Sequence, residues 1–241
     1  MIPLPETILS ENLQKILNRM AAAAQRVNRS TNEIKLLAVS KQVSQKRVLE
    51  AIGLGQYVFG ENYVQESLKK IPSIKKAKPH ETLIFHFIGN LQTNKAKKAA
   101  ELFDVIETID STKLANSLEK HLKLLNKTLA GYIQVNIGRE KQKSGLLPEY
   151  CENFLAELPQ YQHLKIVGLM AIPPYFENPE DVRPFFRQLR ELSKKLFSKG
   201  LLGQHGPVEL SMGMSGDFEI AIEEGATVIR IGTALFGSRM R

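Results

Sequence analysis

Short apolar runs alternate with longer amphipathic stretches along the chain. In the first amphipathic stretch, over residues 6–28, Leu9, Leu13 and Ile16 recur at helical spacing, which predicts a helix. Further helices are predicted over 46–54, 64–70, 111–125, 148–158, 181–199 and 218–224, together with one that ends at 102. The apolar runs between them predict buried strands over 34–41, 57–62, 83–89, 105–109, 131–137, 164–172, 208–214 and 227–232.

This alternation of strands and helices is typical of βαβ units and a parallel sheet. Eight such units in 241 residues predict a single α/β domain over 1–241, a (β/α)8 TIM barrel with an extra N-terminal helix. That first helix is expected to pack where a last helix would sit. A doubly wound open sheet is the competing architecture, but no strand is followed by the G-x-G-x-x-G of its dinucleotide-binding version.

The composition limits the cellular compartment and the classes of ligand that we expect. The chain has 43% apolar residues and one cysteine, Cys151, so it can form no internal disulfide, which fits a reducing compartment. Its N-terminus has no signal-peptide pattern and nothing reaches membrane-spanning length, so we expect a cytoplasmic protein. The formal charge of +8 favours anionic ligands. The lysine clusters, which include Lys69–Lys70, lack interleaved aromatic residues, which favours solvated helix faces over nucleic-acid binding.

The candidate chemistry begins where the first strand ends, at Lys41. A lysine at the mouth of an apolar barrel loses solvation, so its pKa falls and its amine can attack carbonyls. We therefore interpret Lys41 as the residue that forms a Schiff base with an aldehyde cofactor. The alternative is that Lys41 opens a loop and points into solvent.

Two glycine-containing segments follow the last two strands. Barrels often bind phosphate in these loops, where Ser215 and Thr233 offer hydroxyls and Gly232 lets backbone N–H groups approach an anion. Ordinary glycine turns are the alternative. Arg230, two residues before Gly232, shares its face and would need an acceptor such as a pyridine nitrogen, unless it points outward to a salt bridge.

Other polar or soft residues near strand ends carry weaker signals. His86 lies in an apolar strand, which is more typical of a buried histidine whose ring nitrogens are hydrogen-bonded than of a catalyst, so that any role in the site would be indirect. Asn62 follows a glycine and a glutamate, a sequence that is also common in turns. Met212 fits either core or cofactor packing. The sequence has no spacing typical of metal ligands and no G-x-S-x-G elbow.

Taken together, these stretches resemble the YggS/PROSC family of pyridoxal phosphate homeostasis proteins, across essentially the whole chain and in the family's order. The matching segments are Leu37-Ala38-Val39-Ser40-Lys41, Phe59-Gly60-Glu61-Asn62-Tyr63-Val64-Gln65-Glu66, His86-Phe87-Ile88-Gly89-Asn90-Leu91-Gln92-Thr93-Asn94-Lys95, Leu169-Met170, Leu210-Ser211-Met212-Gly213-Met214-Ser215 and Ile229-Arg230-Ile231-Gly232-Thr233-Ala234-Leu235-Phe236-Gly237.

The resemblance implies a barrel like the N-terminal domain of alanine racemase, with pyridoxal 5′-phosphate (PLP) as its cofactor. It implies that Lys41 carries PLP as an internal aldimine and that Asn62 lies near the ring. Arg230 would face the pyridine nitrogen. The phosphate would be held by Ser215, Gly232 and Thr233. Met212 completes the set of cofactor-binding candidates.

The candidate residues also indicate which PLP-dependent reactions the site could catalyse. A cationic Arg230 beside the pyridine nitrogen weakens the electron sink, which argues against transamination. Racemisation needs a base on each face, and Lys41 supplies one. The residues therefore predict a cofactor site without a full catalytic set. The resemblance implies a PLP carrier and regulator that acts in PLP homeostasis and in amino-acid and keto-acid balance. We expect a monomer, with apo-enzymes as possible recipients of PLP. The main alternative is an amino-acid racemase, followed by an anion-binding or nucleic-acid-binding module.

Overall fold

The strands arise where the chain has short runs of buried apolar residues. In this computed structural model, which describes residues 7–158 and 161–237, every strand pairs in parallel with its neighbours, and β8 pairs with β1 to close the barrel. The strands are β1 Lys35–Val39, β2 Val58–Glu61, β3 Ile84–Phe87, β4 Val105–Ile109, β5 Leu129–Val135, β6 Leu164–Ala171, β7 Glu209–Ser211 and β8 Val228–Ile231. The predicted (β/α)8 barrel is confirmed.

Helices follow the strands and cover the outside of the barrel. They are α1 Ile8–Arg26, α2 Gln45–Gly53, α3 Val64–Ala77, α4 Ala96–Leu102, α5 Thr112–Leu125, α6 Cys151–Glu157, α7 Arg183–Ser198, α8 Phe218–Glu223 and α9 Thr233–Phe236. The predicted N-caps are in place, since the Ser44 and Ser111 hydroxyls accept backbone N–H groups of the first turns of α2 and α5. None of the helices that are described is long and apolar enough to cross a membrane.

The extra helix α1 covers the barrel next to β8. The Asn12 side chain donates to the Leu235 carbonyl at 3.1 Å, and Arg19 pairs with Glu219 of α8 at 2.6 Å. The helix was predicted to start at residue 6, which lies outside the described residues; it begins at Ile8 after a Thr7 cap. The expected position beside the last strand is the one observed.

Only the strand predicted over 105–109 has the predicted bounds, and two of the others, β5 and β7, differ most from them. β5 occupies Leu129–Val135, two residues earlier than predicted, because the polar loop after it folds back and bonds to Asn136 and Gln134. β7 has only the three residues Glu209–Ser211, because Gly213 adopts a positive φ of 92° that turns the chain away. Both shifts lie at the strand ends that face the candidate site.

The hydrophobic core has two parts. The larger part lies between the barrel and its helices and includes Ile52, Phe85, Phe103 and Leu189. A smaller, separate cluster contains Leu37, Val105, Tyr132, Met170 and Val228. Because Val228 lies two residues before Arg230 in β8, the two side chains share one face of the strand. The smaller cluster therefore forms an apolar floor in the barrel, with polar groups above it.

Candidate functional site

A cavity of about 300 Å³ lies at the carboxyl ends of the strands, and Lys41 is part of its wall. The lining residues are Val39, Lys41, Asn62, Ile88, Ile172, Met214, Ser215, Gly216, Arg230, Gly232 and Thr233. The cavity thus brings together six of the seven residues predicted to bind the cofactor. Arg230 comes from β8 itself, and the others come from the segments after β1, β2, β7 and β8.

Lys41 enters the cavity through a tight turn. The strand before it is buried, with Leu37 and Ala38 fully covered. The Ser40 carbonyl then accepts the Val43 N–H at 2.9 Å, so the chain reverses immediately after Ser40. The Lys41 side chain is half-buried. The lysine lies at the end of the strand, as predicted, and the turn fixes its backbone at the rim of the barrel.

The loops after β7 and β8 meet on the same side of the cavity. The Ser215 hydroxyl accepts the Ala234 N–H at 3.3 Å, which ties one loop to the other. The Asp217 carboxylate accepts the Met214 N–H at 2.6 Å and fixes the first loop. Burial raises the pKa of Asp217, although the Met214 N–H and the Arg230 charge oppose this. Hydroxyl groups and glycine backbone are thereby gathered at one wall of the cavity.

Arg230 points inward, as predicted, and is only 4% exposed. Its guanidinium donates to the Ser211 hydroxyl and to the Ala171 carbonyl, both at 2.8 Å. Burial lowers the pKa of Arg230, and the negative charges of Glu107 and Asp217 oppose that shift. Protein acceptors therefore fix the orientation of this guanidinium before any ligand enters.

A chain of buried polar groups continues from Arg230 across the barrel. The Ser211 hydroxyl donates to Glu107 Oε2 at 2.6 Å, and Glu107 Oε1 lies 2.6 Å from His86 Nδ1. Burial alone would raise the pKa of Glu107, but His86, Arg230 and Ser211 outweigh it and hold that pKa below its usual value. Glu107 therefore carries a negative charge that opposes the positive charge of Arg230, and its other oxygen is bonded to His86.

His86 belongs to this row of buried polar groups and is not among the residues that line the cavity. Its 4% exposure and its carboxylate partner fit the interpretation as a satisfied core histidine with an indirect role. Glu107 was not singled out from the sequence, because it lies inside an apolar strand run. A carboxylate within such a run is the signal that could have identified it, since a buried charge needs a partner.

A second group that the sequence analysis missed lies beneath Lys41. Lys70 was assigned to a solvated helix face with Lys69, and this was wrong for Lys70, which is 9% exposed. Its ammonium lies 2.9 Å from Glu61 and 3.0 Å from Glu66. Burial raises the pKa of Glu61, while Lys70 and the Ser40 hydroxyl oppose this. The two carboxylates explain why a lysine can be buried here.

The two methionines near β7 differ in position. Met214 lines the cavity and is 37% exposed, whereas Met212 is fully buried in the core and is not among the lining residues. The turn at Gly213 separates their environments. Of these two, it is Met214 that a ligand in the cavity would contact.

Asn62 forms part of the wall between the main cavity and a smaller one of about 220 Å³. Its Oδ1 atom is buried and has no hydrogen-bond partner in the described part of the chain. Polar side chains line the smaller cavity, among them Gln134, Asn136 and Lys143. Glu140 and two backbone carbonyls engage the Lys143 ammonium. Asn62 thus offers an acceptor where the two cavities meet.

The described residues, 7–158 and 161–237, contain no group of three or more His, Cys, Asp or Glu side chains that could hold a metal ion.

A closed parallel barrel with a lysine after β1 and an inward arginine on β8 defines a barrel of the alanine racemase N-terminal type. The family model for the alanine racemase N-terminal domain matches residues 12–240. The chain is 44% identical to the pyridoxal phosphate homeostasis protein of Aquifex aeolicus, covering 95% of this chain and 97% of the relative. It is 39% identical to that of Escherichia coli K12, covering 96% and 97%. The chain belongs to the pyridoxal phosphate homeostasis protein family.

Solved structures agree with this assignment. The PipY protein of Synechococcus elongatus, solved with PLP bound, is 33% identical, with a TM-score of 0.81 over 95% of this chain and 100% of that one. A protein from Bifidobacterium adolescentis, described only as an unknown protein, is 31% identical, with a TM-score of 0.88 over 95% of this chain and 94% of that one. Alanine racemase of Clostridium difficile is 15% identical, with a TM-score of 0.67 over 95% of this chain and 56% of that one, and this likeness concerns the fold alone.

Proposed function

We propose that this protein binds PLP through a Schiff base on Lys41 and acts in PLP homeostasis and amino-acid and keto-acid balance, without catalytic turnover. One observation carries the proposal: the cavity of about 300 Å³ joins the Lys41 amine to the hydroxyl-bearing loops of Ser215 and Thr233 and to the buried Arg230. These groups match the aldehyde, the phosphate and the ring nitrogen of PLP in chemical type.

The donor set also fits the cofactor in detail. The Ser215 and Thr233 hydroxyls and the backbone of Gly232 are suited to phosphate oxygens. Asn62 Oδ1, buried without a partner in the described residues, suits a hydroxyl donor on the ring. Condensation of the Lys41 amine with the aldehyde forms a C=N bond and releases one water, without any redox change.

The same residues limit turnover. Bound PLP would acidify the Cα of an attached amino acid by drawing electrons towards its ring nitrogen. Arg230, fixed by Ser211 and Ala171, places a positive charge that disfavours protonation of that nitrogen. Of the residues known to line the cavity, Lys41 and Arg230 alone are ionisable, so a second base is lacking among them. This supports a carrier role over racemisation.

We also propose that residues 1–241 form one domain and that the protein is a cytoplasmic monomer that can supply PLP to apo-enzymes. The single cysteine, Cys151, is buried, which fits a reducing environment. Light scattering during gel filtration at several concentrations tests the monomer; a mass of two chains at all concentrations would contradict it.

Visible absorbance, borohydride reduction and peptide mass mapping test the proposed function. We expect a yellow protein whose reduced adduct maps to Lys41. Lys41→Ala should remove the adduct, whereas Lys46→Ala, at an exposed lysine on α2, should leave it. A protein that stays colourless with added PLP would refute cofactor binding. Exchange of solvent deuterium into Cα of added amino acids would instead support the racemase alternative.

A further inference from the structure

The turn that carries Lys41 has an unusual backbone. Its third residue, Gln42, adopts a positive φ of 57°, a conformation that glycine and asparagine prefer. A glutamine in this region costs free energy and persists only where the surroundings determine the conformation. The hydrogen bond from Val43 to Ser40 closes the turn but does not by itself fix the peptide between Lys41 and Gln42.

An ion pair on α3 holds both peptide groups that flank Lys41. The Lys70 ammonium donates to the Ser40 carbonyl at 2.5 Å, which belongs to the peptide before Lys41. Glu66 Oε1 accepts the Gln42 N–H at 2.9 Å, which belongs to the peptide after Lys41. Glu66 and Lys70 lie one helical turn apart and bond to each other at 3.0 Å. The two contacts therefore act as one unit.

Glu61 anchors this unit from β2. Its Oε1 accepts the Ser40 hydroxyl at 2.7 Å and lies 2.9 Å from the Lys70 ammonium. The side chains of Lys70 and Glu61 are 8% and 0% exposed, so solvent and salt screen this pair little. Glu66 is 27% exposed and closes the group at the surface. A buried ion pair is a poor source of stability but a good device for fixing one arrangement.

We propose that Glu61, Glu66 and Lys70 form a clamp that positions Lys41 for Schiff-base formation. The clamp residues lie in the segment of β2 and α3, next to the strand that carries the lysine, and act on it through the backbone of Ser40 and Gln42. They are positioning residues, since none of them is among the residues known to line the cavity. The inference rests on the proposed function of Lys41.

The test compares Glu66→Ala, which removes the acceptor for the Gln42 N–H, with Glu66→Gln, which keeps an amide oxygen there. Each variant is titrated with PLP, reduced with borohydride, and mapped for the adduct on Lys41. Losing a hydrogen bond to a charged acceptor predicts that Glu66→Ala needs about tenfold more PLP for half-maximal trapping. Glu66→Gln should recover most of that loss.

Lys127→Met is the matched control. The Lys127 ammonium also donates to backbone carbonyls, those of Ala100 at 2.9 Å and Phe103 at 2.5 Å, but these lie at the end of α4. The control should lower the melting temperature and leave trapping at Lys41 unchanged. If Lys127→Met reduced trapping as much as Glu66→Ala, the effect would reflect general stability and the clamp would be refuted.

Gln42→Gly supplies a second, independent test. Glycine adopts a positive φ without strain, so the turn should depend less on its clamp. Glu66→Ala is therefore expected to reduce trapping less in the Gln42→Gly background than in the wild type. Equal losses in both backgrounds would overturn the clamp. Wild-type protein that is not trapped at Lys41 would overturn the proposed function as well, whereas normal trapping in Glu66→Ala would overturn the clamp alone.

Discussion

Replacing Arg230 by methionine would test the buried charge chain. The substitution keeps much of the side-chain volume but removes the cation that Ser211 links to the fully buried Glu107. Removing one partner of a buried ion pair typically costs 3–5 kcal/mol. Because the Ser211 hydroxyl lies between the two charges and Glu107 keeps His86 at 2.6 Å, we expect the lower end, about 3 kcal/mol. For a chain of this size that corresponds to a fall in Tm of roughly 6–12 °C.

The pH dependence makes this prediction specific. In the wild type the pKa of Glu107 lies below its usual 4.5, so its contribution to stability is present above that pH and is lost as pH falls through the folded pKa. Without Arg230 the pKa of Glu107 rises, so the difference in unfolding free energy between Arg230→Met and wild type should be largest near neutral pH and narrow towards pH 4.

Urea denaturation at several pH values measures these free energies. The double variant Glu107→Gln with Arg230→Met removes both charges and should be more stable than Arg230→Met alone. A loss that is the same at pH 7 and pH 4, or two single losses that simply add in the double variant, would refute the idea that Arg230 compensates Glu107.

Further outcomes follow from the packing and the titration of other groups. Gly89→Ala should lower Tm markedly, because its Cβ would lie 2.1 Å from the Asn62 carbonyl oxygen, whereas Gly216→Ala, with nothing within 4 Å, should leave Tm unchanged in the same scan. Burial raises the pKa of Cys151 to about 12, so a thiol reagent at pH 8 should label it only after unfolding; rapid labelling of native protein would contradict this. Burial would raise the pKa of Glu119, but the backbone N–H groups that it accepts outweigh burial and lower that pKa. The unfolding free energy of Glu119→Gln should therefore depend less on pH in the acid range than that of the wild type.

The fold was largely predictable because buried parallel strands read as continuous apolar runs. The strands predicted over 34–41 and 105–109 were identified in this way. The same continuity conceals which side chains point into the barrel, because a strand buried on both faces has no polar alternation. The strand of Glu107 was therefore placed correctly, but its pattern did not show which way the Glu107 side chain points, and the only signal was the carboxylate itself within the run.

The candidate site was predictable where its chemistry is local in sequence. Lys41, Ser215 and Thr233 each follow a strand, and the barrel geometry brings strand ends together. Lys70 was not predictable from its position in a lysine-rich segment, because its burial depends on Glu61, which comes from a different element. A pairing between residues of different elements has no local pattern in the sequence by which it could be predicted.

The pairing of β1 with β8 has a consequence for synthesis on the ribosome. Lys41 follows the first strand and Thr233 the last, so almost two hundred residues of translation separate two walls of one cavity. A nascent chain that still lacks β8 has no neighbour for β1 on that side and no complete cavity. Such long-range closure is slow relative to local contacts. A ligand that bridges both walls would select chains that have finished folding, and would stabilise them by mass action.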